Sequence, residues 1–579
     1  MKKQLLTGLF TVFALAASAQ SNEWRNPQVN AVNRAPMHTN YFAYENADAA
    51  KKGLKESSAN YMTLNGAWKF NWVKDADARP MDFWKTTFND KGWDDMQVPG
   101  VWELNGYGDP IYVNVGYAWR NQFKNNPPEV PTENNHVGSY RREIIVPASW
   151  KGKDIIAHFG SVTSNMYIWV NGRYVGYSED SKLEAEFDLT PYLKPGQKNL
   201  IAFQVFRWCD GTYLEDQDFF RFSGVGRDCY LYARNKKRIQ DIRVTPDLDT
   251  EYKNGSLAVK LDLKGSGTVD LELVDATGKQ VATATAKGSG TVTMNVENPN
   301  KWSAETPYLY TLRASIQGSN EVIPVNVGFR KIELKGGQIL VNGKAVLFKG
   351  ADRHELDPDG GYVVSPERML QDIQIMKQYN LNAVRTCHYP DNNLWYDLCD
   401  KYGILVWQDF MFACSTYPMT AERLENIRQE AIDNIVRLRN HPCIAIWCGN
   451  NENHTAWFNW GWMQKYEKLG VLEEMRKDDK ELFHKLLPEV VKEYDPKTFY
   501  LPSSPYGGDP DAKCESGTVN WNPNGDAHYW GVWQGIDSVA HFNKIKARFF
   551  SEYGFQSFPE YQSVLKYAPE ERDHNIYSD

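Results

Sequence analysis

The chain has 579 residues, of which 42% are hydrophobic and 13% aromatic, and its formal net charge is −8. A chain of this length exceeds what one hydrophobic core can organise, so several domains are expected. The modest negative charge and the lack of a basic run argue against nucleic acid or an anionic membrane surface as the partner.

The N-terminus has the pattern of an export signal. Basic residues at Lys2 and Lys3 precede an apolar stretch over 5–17, and Ala17-Ser18-Ala19 fits a small-residue cleavage site. The apolar stretch is too short to span a bilayer, and no other segment approaches the roughly 20 apolar residues that a span requires. We therefore expect a signal peptide over residues 1–19 and a periplasmic or secreted protein.

The cysteines suggest buried thiols rather than a metal site or a disulfide framework. Cys399, Cys443 and Cys448 lie inside hydrophobic runs, where a buried thiol is the simpler interpretation. The spacing of the full set shows no metal-type pairing, although one disulfide stays possible. The eight positions are 209, 229, 387, 399, 414, 443, 448 and 514.

Two β-rich regions are predicted to follow the signal. Trp68, Phe70 and Trp72 alternate with polar residues, and Asn171-Gly172 separates two strand-like runs as a hairpin turn would. This pattern predicts a β jelly-roll sandwich over residues 20–235. The next block, 236–335, repeats the alternation in a smaller unit and predicts an immunoglobulin-like β-sandwich.

After residue 336 strand-like runs alternate with amphipathic helices, which is typical of β/α units. Ser365-Pro366 and Thr420 are predicted to begin two of the helices. The candidate strands are 346–350, 382–386, 404–408, 444–447, 499–502, 527–530 and 548–551. A (β/α)₈ TIM barrel needs eight strands, so we expect residues 336–579 to form an incomplete barrel of about seven strands.

Two of these strands each end in a glutamate. Glu452 follows the strand at 444–447, and Glu552 follows the strand at 548–551. A single glutamate at a strand end is usually part of a salt bridge, but two at the same end of a barrel can act on one glycosidic bond. Desolvation behind a hydrophobic strand would raise the pKa of Glu452, as a general acid requires. The neighbouring Asn451 is expected to hold a sugar hydroxyl, and Trp457 and Trp460 form either a sugar platform or packing contacts.

Several longer sequence motifs resemble those of a known protein family. Residues 382–390 and 394–403 (NAVRTCHYP and LWYDLCDKYG) resemble a signature of glycoside hydrolase family 2. Up to about Gly403 the chain is similar to β-galactosidases of the lactose-operon type, through the words at 110–115, 131–134, 207–218 and 349–355. From Ile404 onward it is similar to β-mannosidases of the same family, through 407–414, 449–453, 528–533 and 551–557. A natural mosaic and a join of two related genes both stay open as explanations.

The resemblance implies specific roles. Glu452 matches the acid/base and Glu552 the nucleophile of a retaining mechanism. Sugar-holding positions of β-galactosidases fall on Asn114, Asp210, His354 and His388, and Asp210 also matches a ligand of a sodium ion. Asn451 and Trp530 are expected to bind substrate as well.

Two departures from these patterns affect metal binding and the choice of sugar. The magnesium site of β-galactosidases is replaced here by Phe412-Ala413-Cys414-Ser415, so no magnesium and no obligatory cofactor are expected. The sequence motif with which β-mannosidases contact the axial 2-hydroxyl of the sugar is replaced here by Trp208-Cys209-Asp210-Gly211.

The sequence therefore predicts a secreted retaining exo-β-glycosidase that releases terminal β-D-galactose from oligosaccharides. A β-mannosidase is the alternative within the family, and a catalytically inactive carbohydrate-binding fragment is the alternative of another class. A metal-dependent hydrolase is disfavoured, because His354, His388 and Cys387 do not form a spaced ligand set. The oligomeric state is left open.

Overall fold

The computed structural model describes residues 22–114, 116–215, 218–417, 419–512, 524–555, 559, 561–575 and 577. The predicted signal peptide and Cys514 lie outside the described residues. The seven described cysteines are all free, and Cys414 is half-buried whereas the other six are buried.

The first domain is an antiparallel β-sandwich. Trp68 and Phe70 point into its core, as their alternation with polar residues predicts. The predicted hairpin turn is confirmed: Val170 pairs with Arg173, and Asn171 and Gly172 adopt the positive φ values, 51° and 79°, that a tight hairpin requires. The larger sheet orders Ala31–Val32, Arg173–Ser178, Met166–Val170, Lys198–Phe206, Val137–Ile145, Gly66–Val73 and Asp94–Val98, and the facing sheet orders Ala185–Asp188, Asp154–Phe159, Cys229–Arg234 and Tyr61–Thr63.

Two small sheets complete this domain. One pairs Phe219–Arg221 with Ile111–Val113, and the other contains Gly100–Val101, Gly224–Val225 and Val162–Thr163. The short helices here are Glu23–Arg25, Ala47–Lys52, Lys55–Ser57, Ala76–Ala78, Glu103–Asn105, Ala148–Trp150 and Thr212–Glu215.

The second domain is a smaller sandwich of two antiparallel sheets. Its inward-facing residues, among them Leu257, Val259 and Leu261, form a separate core. One sheet contains Arg238–Leu248, Gly255–Lys264 and Gly290–Val296, and the other orders Gln280–Lys287, Thr268–Val274, Tyr310–Ile316 and Ile323–Val327. A three-stranded sheet of Ile332–Lys335, Gln338–Val341 and Lys344–Ala345 then leads into the third domain.

The described residues of the third domain form seven parallel strands. Five form one sheet, Gly350–Arg353, Ala383–Thr386, Leu405–Asp409, Ile444–Cys448 and Phe499–Leu501, and Ala527–Tyr529 pairs with Phe550–Tyr553 in a second. The helices are Pro366–Gln378, Asn393–Tyr402, Ala421–Leu438, Asn453–Asn459, Trp462–Lys468, Leu472–Lys480, Leu487–Tyr494 and Tyr561–Tyr567, with a π-helical stretch at Glu481–Leu486 and short 3₁₀ turns at Val539–Asn543 and Glu571–His574.

Two predicted strand positions were wrong. The first barrel strand is Gly350–Arg353 rather than 346–350, because Val346 instead donates its N–H to Ile339 of the preceding sheet. The seventh is Phe550–Tyr553 rather than 548–551, so Glu552 lies within the strand. The seventh strand extends further because Ala527–Tyr529 pairs with it as far as Tyr553. An open barrel stays a prediction.

The helix starts agree with the sequence. The side chain of Ser365 accepts the N–H of Arg368, and that of Thr420 accepts the N–H of Arg423, so both act as N-caps. Within the described ranges, no helix combines the length and the apolarity needed to cross a bilayer.

Candidate active site

Glu452 stands at a tight turn beyond the fourth barrel strand. Its backbone is left-handed, with φ 61°, and its N–H donates to the carbonyl of Ser504 over 2.8 Å. Gly449 makes this turn possible, because a Cβ there would lie 2.4 Å from the carbonyl oxygen of Pro502. The turn holds Glu452 just before the helix Asn453–Asn459.

Glu552 is held from two sides. Arg385, in the second strand, donates to its Oε2 over 3.0 Å, and the indole of Trp530 donates to its Oε1 over 3.0 Å. Two hydrogen bonds to separate oxygens fix the orientation of the carboxylate.

His528 lies between the two glutamates. Its Nδ1 is 2.7 Å from Oε1 of Glu452 and 3.7 Å from Oε1 of Glu552. One oxygen of each carboxylate and a ring nitrogen of His528 all lie within 4.8 Å of one another. The Nε2 side of the ring contacts the hydroxyl of Ser504 over 2.9 Å, and that hydroxyl also contacts Asp526. The imidazole is therefore fixed at both nitrogens.

Arg385 connects this pair to the strands behind it. Besides Glu552 it donates to Asp409 over 2.8 Å and to the amide oxygen of Asn451 over 2.9 Å. Asp409 also pairs with Nδ1 of His388 over 2.6 Å. One guanidinium thus links the ends of four strands.

The electrostatics of the site follow from these contacts. Burial alone would raise the pKa of Glu552, but the charges of His528, Arg385 and His388 outweigh it and hold that pKa below its ordinary value. Burial would lower the pKa of His528, yet Glu552 and Glu452 raise it above its ordinary value. The site therefore favours an ionised Glu552 beside an imidazolium, which suits a nucleophilic carboxylate.

The comparisons with known proteins agree on one family. Three family models match consecutive segments: "Glycosyl hydrolases family 2, sugar binding domain" over 61–235, "Glycosyl hydrolases family 2" over 237–330, and "Glycosyl hydrolases family 2, TIM barrel domain" over 332–477. The chain belongs to glycoside hydrolase family 2. Glu452 lies inside the matched segments of this family, and His528 and Glu552 follow them.

Similar proteins include curated β-galactosidases. The chain is 41% identical over 457 residues to one from Halalkalibacterium halodurans and 38% identical over 465 residues to one from Priestia megaterium. These alignments cover 75% and 74% of this chain and 45% of each relative, so the chain spans about half the length of the curated relatives it matches.

Solved structures share the fold. A Bacteroides uniformis β-glucuronidase has a TM-score of 0.68 at 22% identity, covering 86% of this chain and 59% of that chain. A Ruminococcus gnavus β-glucuronidase has a TM-score of 0.61 at 22% identity, covering 75% and 70%. At this identity the likeness concerns the fold alone.

Of the predicted site residues, four lie around the glutamate that matches the family nucleophile. Asn451 contacts Arg385, Trp530 contacts Glu552, and His388 pairs with Asp409. His354 lies beside His388, with ring centroids 6.2 Å apart, and its Nδ1 is 3.2 Å from the hydroxyl of Tyr389. Burial and the nearby His388 lower the pKa of His354 to about 3, so its ring is neutral.

Asn114 comes from the sandwich domain. It follows the strand Ile111–Val113 and is exposed. That strand pairs with Phe219–Arg221, and the ring of Phe219 stacks on His354 at a centroid distance of 6.0 Å. Asn114 is thereby carried on a two-stranded sheet that borders the site.

Asp210 lies in a different environment. It is buried, and its carboxyl group hydrogen-bonds with that of Glu179. Burial raises the pKa of both carboxyl groups, that of Asp210 to about 7. Among the described residues, Asp210 makes no hydrogen bond or ion pair with Glu452 or Glu552. Its Oδ1 is buried without a hydrogen-bond partner, so the oxygens here fit a hard cation such as sodium.

The aromatic residues divide between packing and rim. Trp457 is buried against Trp462 and Tyr466, whereas Trp460 and Trp533 are 44% and 46% exposed. Trp533 contacts Trp530 at 5.6 Å, which places an exposed ring beside the one that holds Glu552.

The segment that replaces the magnesium motif reaches Glu452. The thiol of Cys414 lies 3.8 Å from Oε2 of Glu452 and 3.8 Å from the amide nitrogen of Asn451. The weak thiol donor of Cys414 therefore occupies the segment in which β-galactosidases carry their magnesium ligands.

Sequence reasoning missed His528, Arg385 and Asp409 as site residues. A signal was present for Arg385 and Asp409, because a charged residue inside or at the end of an otherwise apolar barrel strand is costly unless it has a partner. His528 belongs to the motif at 528–533, but its position between the glutamates depends on how the strand Ile444–Cys448 lies relative to the much later strands Ala527–Tyr529 and Phe550–Tyr553.

Proposed function

We propose that this chain is an exported retaining exo-β-glycosidase that releases terminal β-D-galactose from oligosaccharides. The observation that carries the proposal is the approach of Glu452 and Glu552 to a shared His528. One oxygen of each carboxylate and one ring nitrogen of His528 all lie within 4.8 Å of one another. Retaining glycosidases need their carboxyl groups about 5 Å apart, because one attacks directly while the other protonates the leaving oxygen. The exported location rests on residues 1–19.

In the proposed mechanism Glu552 attacks the anomeric carbon as the bond to the leaving oxygen breaks, and Glu452 gives its proton to that oxygen. The product is a covalent glycosyl ester on Glu552. Glu452, now a carboxylate, then takes a proton from water, and the hydroxide formed attacks the same carbon and frees the sugar and Glu552. Arg385 and Trp530 hold the nucleophile in line, and His528 orients Glu452.

Galactose is favoured by the β-galactosidase relatives and by His354, His388 and Asn114, which match sugar-holding positions and border the site. A β-mannoside is the second candidate, and the contact of Cys414 with Glu452 favours it, because this segment is similar to β-mannosidases and departs from β-galactosidases. The fold is shared with proteins described as β-glucuronidases, so uronic acid substrates belong in the test.

Turnover of the 4-nitrophenyl β-D-galactoside, β-D-mannoside and β-D-glucuronide by the purified chain tests the proposal. We expect the galactoside to have the highest kcat/KM. A matching 2-deoxy-2-fluoro glycosyl fluoride should label Glu552 covalently, which peptide mass spectrometry detects. Preference for the mannoside would support the second candidate.

Sugar binding without turnover or labelling would instead support an inactive carbohydrate-binding fragment. An isothermal titration with galactose and mannose distinguishes that outcome from a chain that neither binds nor turns over sugar.

The proposal includes a sodium ion near Asp210, with no obligatory cofactor. Asp210 would offer Oδ1 to the ion, and a bound sodium would stabilise the folded chain. We expect a higher Tm in sodium chloride than in potassium chloride at equal ionic strength, and the same Tm in both salts for Asp210→Asn. An equal Tm for the unmodified chain would argue against the ion.

A further inference from the structure

The sandwich domain brings a second aspartate to the site, and it is not Asp210. Asp218 directly precedes the strand Phe219–Arg221 and is half-buried. The ring of Phe219 lies nearly parallel to that of His354, at an interplanar angle of 8°. Because neighbouring residues on this strand contact the barrel, Asp218 is carried to the edge of the catalytic end.

The partner strand holds the Asp218 side chain. The hydroxyl of Tyr112 donates to Oδ1 of Asp218 over 2.5 Å, and Tyr112 pairs with Phe220 across the small sheet. Tyr112 and Phe220 are 56% and 44% exposed, and their rings meet at 5.4 Å. Asp218 therefore has one oxygen engaged by a phenol and stands beside an exposed aromatic pair.

The charge of Asp218 reaches both glutamates' surroundings. It lies within electrostatic range of His388 and Glu552. It also acts on Cys414, whose thiol contacts Glu452. The geometry agrees with this range, because Phe219, the residue after Asp218, stacks on His354 and His354 lies beside His388. Asp218 therefore lies on the sandwich side of the site.

Two arginines near Asp218 and Glu552 are already engaged. Arg385 donates to Asp409, Asn451 and Glu552. The two terminal nitrogens of Arg221, beside Asp218, donate to the carbonyls of Phe219 and Gly116. A substrate carboxylate placed beside Asp218 and Glu552 would therefore meet two like charges while these guanidinium groups serve other partners, at an energetic cost.

We propose that Asp218 determines specificity by accepting a hydrogen bond from a hydroxyl of the bound sugar and by excluding uronic acids through its charge. The inference rests on the proposed function and narrows its substrate class to neutral glycosides. The Tyr112 hydroxyl acts as a positioning group for the Asp218 carboxylate. Hydrogen bonds to a charged acceptor are among the stronger ones, so the effect on binding is measurable.

The test compares kcat/KM for the preferred neutral nitrophenyl glycoside and for the nitrophenyl glucuronide in the full chain. Asp218→Asn should lower kcat/KM for the neutral substrate about 10- to 100-fold. It should also shrink the ratio of neutral to glucuronide kcat/KM at least tenfold, since the repelling charge is gone. Tyr112→Phe should lower the neutral kcat/KM by about threefold. Asp262→Asn, an exposed aspartate in the second sandwich, is the matched control and should change nothing.

A ratio and a neutral kcat/KM that both stay unchanged in Asp218→Asn would overturn the inference while leaving the proposed function intact. If circular dichroism shows that Asp218→Asn is unfolded, the kinetics of Asp218→Glu and Tyr112→Phe test the inference instead. Asp218→Glu keeps the charge but moves it, so kcat/KM for the neutral glycoside should fall while the glucuronide is still excluded. If Asp218→Glu turned over the glucuronide, the charge argument would be overturned. An unmodified chain that turns over no glycoside removes the proposed function and this inference together.

Discussion

Two pairs of neighbouring carboxyl groups in this molecule, Glu452 with Glu552 and Glu179 with Asp210, lie among different charges. Around Glu552 the positive charges of His528, Arg385 and His388 outweigh burial, and its pKa is lowered. Around Glu179 and Asp210 burial prevails, and the pKa of both groups is raised; the guanidinium of Arg423 acts on Asp210 without offsetting the burial. Burial of an acid does not by itself make a nucleophile, and the neighbouring cations decide whether its carboxyl group is ionised.

The strongest test of this contrast replaces one acid in each pair. Glu552→Gln should lower kcat/KM by about 10⁴-fold or more, because a carboxamide cannot form the glycosyl ester. Glu179→Gln should lower it by less than about tenfold, since a protonated acid and an amide are similar in shape and charge. Steady-state kinetics on one nitrophenyl glycoside measures both, and comparable losses would contradict the contrast.

Removing the cation that links the strand ends should affect both stability and activity. Arg385→Met leaves Asp409 buried without its guanidinium, which should cost about 3–5 kcal/mol in the free energy of unfolding. Arg385→Lys keeps the charge but loses the forked hydrogen bonds, so its loss should be smaller. Urea unfolding gives the free energies, and an Arg385→Met chain as stable as the unmodified one would refute the role of the network.

Neutralising the imidazolium should move the pH profile. His528→Gln can still donate to Glu452 but carries no charge, so the pKa of Glu552 rises towards its ordinary value. The acidic limb of kcat/KM should therefore move to higher pH, with about a tenfold loss near neutrality. His541→Gln is the control. The Nε2 atom of His541 lies 3.7 Å from Oδ1 of Asp537, and His541 does not pair with either glutamate among the described residues. An unmoved acidic limb would show that His528 does not control Glu552.

The same histidine affects stability with a defined sign. Because its folded pKa is raised, the stabilisation that it provides is complete below its unfolded pKa of about 6.5. It is lost as the pH rises through the folded pKa. His528→Gln should accordingly lower Tm more at pH 5 than at pH 9, as differential scanning fluorimetry can measure.

The smallest expected effect concerns the protonated pair. A carboxyl group whose folded pKa is raised holds a proton that the unfolded chain releases, so stability falls as pH rises above the unfolded pKa of about 3.9. In sodium-free buffer, where no sodium competes with the proton, Asp210→Asn removes this dependence. Its advantage in the free energy of unfolding should then grow from pH 4 to pH 7 by at most about 1.4 kcal/mol per pH unit, and its Tm advantage should grow with it. A Tm difference that does not change with pH would contradict a raised pKa at Asp210.

The sequence was sufficient for the architecture and for naming two glutamates that the fold brings together. Alternation, caps and turn residues are local, and each strand that carries a glutamate has a hydrophobic run that can be read on its own. Arg385 and His528 were not recognised, because their roles depend on which strands become neighbours. Asp218 was missed for a further reason: it is eight residues from Asp210, and only the pairing of Ile111–Val113 with Phe219–Arg221 carries it to the barrel.

The left-handed backbone of Glu452 adds a conformational cost to the turn. A non-glycine residue at φ 61° costs on the order of 1 kcal/mol or more, and glycine would relieve it. The backbone cost of this turn therefore falls on the same residue that supplies one of the two carboxyl groups of the proposed chemistry.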